Sequence, residues 1–229
     1  MKGKAHFGSE LFAFLSDLRR NNRREWFLAN KGRYEVEVRD PMLRFIGDFA
    51  GPLRKISRHF VADAKPSGGS LFRLHRDTRF SRDKSPYKTN VAAHFRHEAA
   101  RDAHAPGFYL HLEPDQVFLA AGLWHPDGDA LAQVRQAIVD RPALWRRALS
   151  GKAFRARCSL SGDGLVRPPK GYDPTHPLID DIKRKDFVAV TRFTEKQACA
   201  RDFLDQCAEA YRVQSPLVAF VTGALGLPW

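Results

Sequence analysis

Cysteine is scarce in this sequence and poorly spaced for chemistry. The three residues, Cys158, Cys199 and Cys207, are odd in number and include no CxxC pair. That argues against a disulfide framework and a thiolate zinc site, and it favours a reducing compartment. Long apolar runs are also missing: no window approaches the roughly 18 apolar residues that a membrane span needs. The opening Met1-Lys2-Gly3-Lys4-Ala5-His6-Phe7 lacks the core of a signal peptide. The expected location is cytoplasmic, with no membrane partner. There is no GxSxG, no HExxH, no P-loop GxxxxGK[ST], and no GxGxxG after a strand. No motif assigns an enzyme class, and none names a cofactor or a metal.

What is present is enough for a sizeable core: 229 residues, 43% hydrophobic, with 17 Phe. At this length one domain spanning 1–229 is the economical reading. Lys and Arg number 38 against 26 Asp and Glu, a net charge of +12. A positive field of that size favours anionic partners, a phosphate-bearing ligand or nucleic acid, unless the excess is only a solvated shell. Oligomeric state is not legible.

The periodicity divides the chain into a mainly helical part (1–66), antiparallel strands (67–125) and a mixed part (126–229). Leu11, Phe14, Leu15 and Leu18 repeat at helical spacing behind Ser9, a candidate cap. A second helix opens at Arg24-Glu25-Trp26-Phe27, and a third runs from about Lys31 to Ile56, bent or divided by Pro41. Period-two alternation then predicts strands over Leu71–Phe80, Asn90–His97, Phe108–Glu113 and Gln116–Leu123, with Pro114-Asp115 as a tight turn. Helices follow from Pro126 to Val139 and Pro142 to Leu149, then strands over Ser159–Val166 and Asp186–Phe193, and helices over Glu195–Tyr211 and Pro216–Leu225. The fold class is α+β: a helical N-terminal layer, a central antiparallel sheet and C-terminal helices.

Charge is densest from Arg73 to Lys88, where Arg73, Arg76, Arg79, Arg82, Lys84 and Lys88 outnumber Asp77 and Asp83 by four. On a strand, Arg76 falls in register with Phe72, Leu74 and Phe80, so it must meet a carboxylate or a bound anion. The candidate anion site comprises Arg73, Arg76, Arg79, Lys84, Tyr87 and Lys88, with Asp77 and Asp83 orienting the guanidinium groups. Two alternatives stay open: a structural web of Arg and Asp pairs in a protein-interaction module, or a metal held by the carboxylates.

The run Arg73, Arg76-Asp77, Arg79-Phe80, Asp83-Lys84, Tyr87 resembles the signature of a bacterial and fungal family, domain-of-unknown-function family 2461. The resemblance extends to Asn21-Asn22, Arg24, Trp26-Phe27, Asn30-Lys31 and Tyr34, and to Tyr109-Leu110-His111-Leu112-Glu113-Pro114. It continues through Gly122-Leu123-Trp124 with Pro126, Gly171-Tyr172 with His176-Pro177, and Lys185-Asp186-Phe187. Ala120-Ala121 depart from it, standing where glycines are expected. The resemblance implies which residues belong together and implies no chemistry.

Strand parity places His94 with Arg96, and His111 with Tyr109 and Glu113, on one sheet face; Ala93, Phe95, Leu110 and Leu112 take the other. His75, His94 and His111 could cluster across neighbouring strands, although a polar sheet face is ordinarily the solvated one. His111 and Glu113 are accessory candidates, notably for a metal-dependent phosphoesterase or nuclease. Asp180-Asp181 are carboxylates for the same chemistry or simple helix caps. Arg19-Arg20-Asn21-Asn22-Arg23-Arg24 beside Trp26-Phe27 suits stacking on bases, or else marks a core edge. Lys183-Arg184-Lys185 is a third basic patch.

Overall fold

The computed structural model describes residues 5–99 and 105–229. The helices are α1 (Ser9–Arg20), α2 (Arg24–Ala29), α3 (Lys31–Tyr34), α4 (Asp40–Arg54), α5 (Gly128–Asp140), α6 (Pro142–Ser150), α7 (Lys152–Arg157), α8 (Ile179–Ile182), α9 (Glu195–Ala198) and α10 (Phe203–Ala224). The strands are β1 (Phe60–Val61), β2 (Val91–His97), β3 (Gly107–Glu113), β4 (Gln116–Leu123), β5 (Ser159–Ser161) and β6 (Phe187–Phe193). All pair antiparallel in one sheet of order β1-β2-β3-β4-β6-β5. The fold is α+β, with helices at both ends of the chain. Among the described residues no helix is long and apolar enough to cross a membrane.

The sheet has two unlike faces because its side chains alternate. Phe95, Phe108, Leu110, Leu112, Leu119, Phe187 and Ala189 are fully buried on one. That face carries two apolar clusters. The larger gathers α1, α4 and the first half of α10 around Phe14, Phe45, Phe49 and Tyr211. The smaller gathers α5, α6 and the end of α10 around Trp145, Ile138, Phe187 and Phe220. Burying a Phe or Leu side chain contributes about 1.5–3 kcal/mol, so these clusters hold the helices to the sheet. The other face keeps partly exposed side chains on each long strand: Arg96, Tyr109, Phe118 and Val190 among them.

Several elements differ from the expected ones, each for a local reason. Helix α1 buries Leu11, Phe14, Leu15 and Leu18 as its spacing predicts, but Ser9 is its first residue and Gly8 stands at the N-cap without a side-chain bond. The third helical stretch is divided just ahead of Pro41. A π-helical turn, Glu35–Arg39, comes just before it, and Pro41 opens α4, where the missing N–H costs nothing. Pro216 does not divide the last helix: the hydroxyl of Ser215 donates to the Arg212 carbonyl at 2.8 Å, the acceptor that proline's nitrogen cannot serve. The break falls earlier, after α9, which starts with a Thr194–Gln197 capping box. Helix α5 begins two residues later than expected, at Gly128, with Asp127 accepting from the Ala130 N–H at 2.8 Å. Strand β5 stops at Ser161, where Gly162 turns at φ 104°.

The segment Leu71–Phe80 is not a strand. Leu71 bridges Ala93 and Phe72 N–H reaches the Ala92 carbonyl at 3.0 Å, after which the chain leaves the sheet. It then pairs with 86–88 in a short ribbon: Arg76 N–H to Pro86 O at 2.9 Å, Lys88 N–H to Leu74 O at 2.8 Å, and a His75–Tyr87 bridge. Asp77 and Asp83 defeat the strand. Each accepts from the backbone N–H two residues on, Arg79 at 3.2 Å and Ser85 at 2.9 Å, which curls the chain into side-chain-capped turns.

Candidate functional site

The ribbon spends most of its charge on itself. The Arg76 guanidinium donates to Asp83 and to the Ser85 carbonyl, not into a sheet face, because the alternation that would aim it inward does not exist here. Arg79 holds Asp77 through Nη2 at 2.7 Å, and Lys84 donates to the Thr78 carbonyl at 2.9 Å. The Arg79 bonds keep the Asp77 carboxyl at a pKa of about 2, and Ser85 with Arg76 holds Asp83 well below the carboxylate range. Phe80, expected among apolar neighbours, is 97% exposed at the tip. Tyr87 is buried, its ring 4.3 Å from Phe27. The structure thus gives Arg76, Arg79 and Lys84 separate partners within the ribbon and Tyr87 a place in the core, and it leaves Arg73 and Lys88 near one another at the foot of the ribbon. Their proximity is felt: burial lowers the pKa of the half-buried Lys88 and the charge of Arg73 lowers it further.

Lys88 leads onto the polar face of the sheet. Its ammonium lies 5.1 Å from the centre of the Phe72 ring. Phe72 stacks parallel on His94 and packs edge-on to Tyr109, at 6.2 and 6.0 Å. Tyr109 contacts Phe118 at 5.9 Å, and His111 stacks on Phe118 at 4.6 Å. Register sets these contacts: Tyr109 lies between His94 and Ala120, and His111 between Ala92 and Phe118, whose far neighbour is Arg192 on β6. The small Ala92 and Ala120 leave the rings to form the floor. Cations stand on both flanks, Lys88 and Arg73 at one side and the exposed Arg192 at the other, and among the described residues none of the three forms an ion pair.

Along β3 the residues at i, i+2 and i+4 form a hydrogen-bonded line. Tyr109 Oη lies 2.9 Å from His111 Nδ1, and His111 Nε2 lies 3.2 Å from Glu113 Oε2. Glu113 Oε1 accepts from the Thr89 hydroxyl at 2.6 Å and from Arg19 of α1 at 3.3 Å. Burial holds the His111 pKa below its ordinary value, partly offset by Glu113, so the ring is neutral. A carboxylate only accepts, which puts the ring's single proton on Nε2 and makes Nδ1 an acceptor. The phenol therefore donates to Nδ1, and burial keeps Tyr109 protonated by raising its pKa. His94 is buried as well, its pKa pushed down to about 4, and its Nδ1 has no hydrogen-bond partner among the described residues. Gly107 makes this fit possible, since a Cβ there would come within 2.1 Å of His94 Nε2.

The remaining candidates are in structural use. His75 packs on Tyr87 and Phe27, away from His94 and His111. Asp180 and Asp181 pair with Lys183 and Arg184, and Asp181 also accepts from the Trp145 indole at 2.8 Å. Phe27 is core and Trp26 packs against it, while Arg19 turns to Glu113 and Arg20 to Asp17. Among the described residues no group of three or more His, Cys, Asp or Glu is placed to hold a metal. Sequence reasoning named His111 and Glu113 as accessories but missed Tyr109, Phe118, Thr89, Phe72 and Arg192. Parity alone had placed Tyr109 beside them; the others needed the register.

No curated protein and no solved structure matches this chain. The model of a family described as a conserved hypothetical protein, DUF2461, matches residues 10–220, and the chain belongs to that family.

Proposed function

We propose that the polar sheet face binds a phosphate-bearing ligand with a base to stack, a nucleotide or a single-stranded nucleic acid. The observation that carries this is Lys88: a half-buried ammonium over an aromatic ring, beside Arg73, without a carboxylate partner among the described residues. A cation held in that setting gains from an anion that completes its coordination. Next to it, Phe72, Tyr109 and Phe118 offer rings at which bases stack, a mode that favours single strands over duplex. In this reading Arg73, Lys88 and Arg192 contact phosphate. Arg76, Arg79, Lys84, Asp77 and Asp83 shape the ribbon that carries the first two, and Tyr87 anchors it in the core.

The test is fluorescence anisotropy with a labelled oligothymidylate. Binding should weaken with salt at a log–log slope near −0.7 per phosphate contacted. Lys88→Ala removes a charged hydrogen bond worth about 1.5–3 kcal/mol, so affinity should drop by roughly tenfold to a hundredfold, with a shallower slope. No binding at low salt, or binding that Lys88→Ala leaves unchanged, defeats the reading.

A further inference from the structure

The line Tyr109–His111–Glu113 has the order of a nucleophile, a base and an orienting acid. Three features separate it from an ordinary satisfied network. The base is neutral and its acceptor atom, Nδ1, meets the phenol at 2.9 Å and the Asn90 amide only at 3.5 Å; of the two donors the phenol is the closer and the more acidic, so the proton the ring is placed to take is that of Tyr109. The orienting carboxylate is itself fixed from two other elements, by Thr89 ahead of β2 and Arg19 of α1. All three groups lie on one strand, paired on both sides, which holds them in a rigid geometry. They also sit in the middle of the aromatic floor, between the Lys88 and Arg192 flanks where the preceding reading, on which this one rests, places phosphate.

We infer that Tyr109 is the nucleophile of a phosphodiester-cleaving site with His111 as its base. In the first step Tyr109 Oη attacks phosphorus while its proton passes to His111 Nδ1. The bond from phosphorus to the leaving oxygen breaks, and that oxygen keeps the electron pair and takes the proton from Nδ1. In the second step water attacks the phosphotyrosyl phosphorus and gives a proton to Nδ1. The phosphorus–phenol bond breaks and the phenol oxygen is reprotonated from the ring. The sum is phosphodiester plus water giving an alcohol and a phosphomonoester. Glu113 stabilises the imidazolium in both steps and acts as a positioning residue.

Bis(4-nitrophenyl) phosphate tests this directly, with release of 4-nitrophenolate and peptide mapping by mass spectrometry as the two readouts. The wild type should turn over and carry a nitrophenyl phosphoryl group on Tyr109. Tyr109→Phe, which removes one oxygen and keeps the ring, should abolish the adduct and lower turnover by at least about a thousandfold, with the wild-type far-UV circular dichroism retained. His111→Gln should lower turnover by about 10²–10⁴, and Arg212→Ala, at an exposed α10 residue paired with Glu209, should leave it unchanged. Wild-type protein that shows no turnover and no adduct, or Tyr109→Phe that retains turnover, overturns the inference. Oligothymidylate separates the two readings: bound by both wild type and Tyr109→Phe but never cleaved, it sinks the catalytic assignment and supports binding. If it goes unbound while the nitrophenyl ester is cleaved through Tyr109, catalysis is supported and strand binding fails.

Discussion

The ribbon 73–88 and strand β3 both interleave polar and apolar residues in sequence, yet they use them in opposite ways. In the ribbon, Asp77 and Asp83 sit two residues before an available backbone N–H and bend the chain, so Arg76, Arg79 and Lys84 find local partners. In β3 the backbone is fully committed to β2 and β4, and Tyr109, His111 and Glu113 can bond only to each other and to groups arriving from elsewhere. Charge density marks the first region. A hydrogen-bonded line of side chains collects in the second, where backbone pairing prevents side chains from bonding to their own main chain.

Lowering the pH should separate the two regions most. Below 6.5 the unfolded chain takes up a proton at His94 that the folded protein refuses until about 4. Stability should therefore fall as pH drops through that window, by about 3 kcal/mol when complete at 1.36 kcal/mol per pKa unit. His111, shifted the same way, adds to it. Asp77 responds in the same direction but in a lower window: its contribution is intact above 3.8 and fades only as pH falls toward about 2. Urea melts from pH 7.5 to 4.5 should show the slope in wild type and a flatter one in His94→Asn; equal slopes would mean that the polar face is not the sensitive region.

A smaller contrast lies between two phenylalanines. Phe118 on the floor should lose about 1–3 kcal/mol of oligothymidylate affinity on change to Ala, the worth of one stacked base. Phe80→Ala, at a far more exposed ring, should lose none. Equal losses in the anisotropy titration would move the ligand to the ribbon. The least effect is expected from the ribbon's own pairs: Arg79→Ala, at a fully exposed pair, should leave the denaturant midpoint unchanged, and Arg76→Ala should shift stability by no more than about 1 kcal/mol.

Legibility followed the same division. Strands β2, β3 and β4 and the facing of His94, Tyr109, His111 and Glu113 could be read because alternation and pairing agree there. The strand expected over Leu71–Phe80 failed because its alternation was genuine but its aspartates offered the backbone a competing partner. Pro216 misled for a related reason, since Ser215 supplies what proline withholds. The site was half legible. His111 and Glu113 stood out as residue types, whereas Phe72, Thr89, Arg19 and Arg192 join it from separate elements, and no local pattern reveals which strands become neighbours.

The two-residue connection Pro114-Asp115 joins β3 to β4, with Asp115 at φ 67°, its N–H bonded to Glu195 at 2.8 Å and the Pro114 carbonyl accepting from Arg19 at 3.2 Å. Because facing alternates with every residue, inserting a single amino acid within β3 would rotate Leu110 and Leu112 outward together with the loss of the Tyr109 line. Hydrophobic interior and polar surface are thus coupled through a single register: the hairpin can exchange side chains on either face one at a time, but an insertion within the strand changes both faces at once.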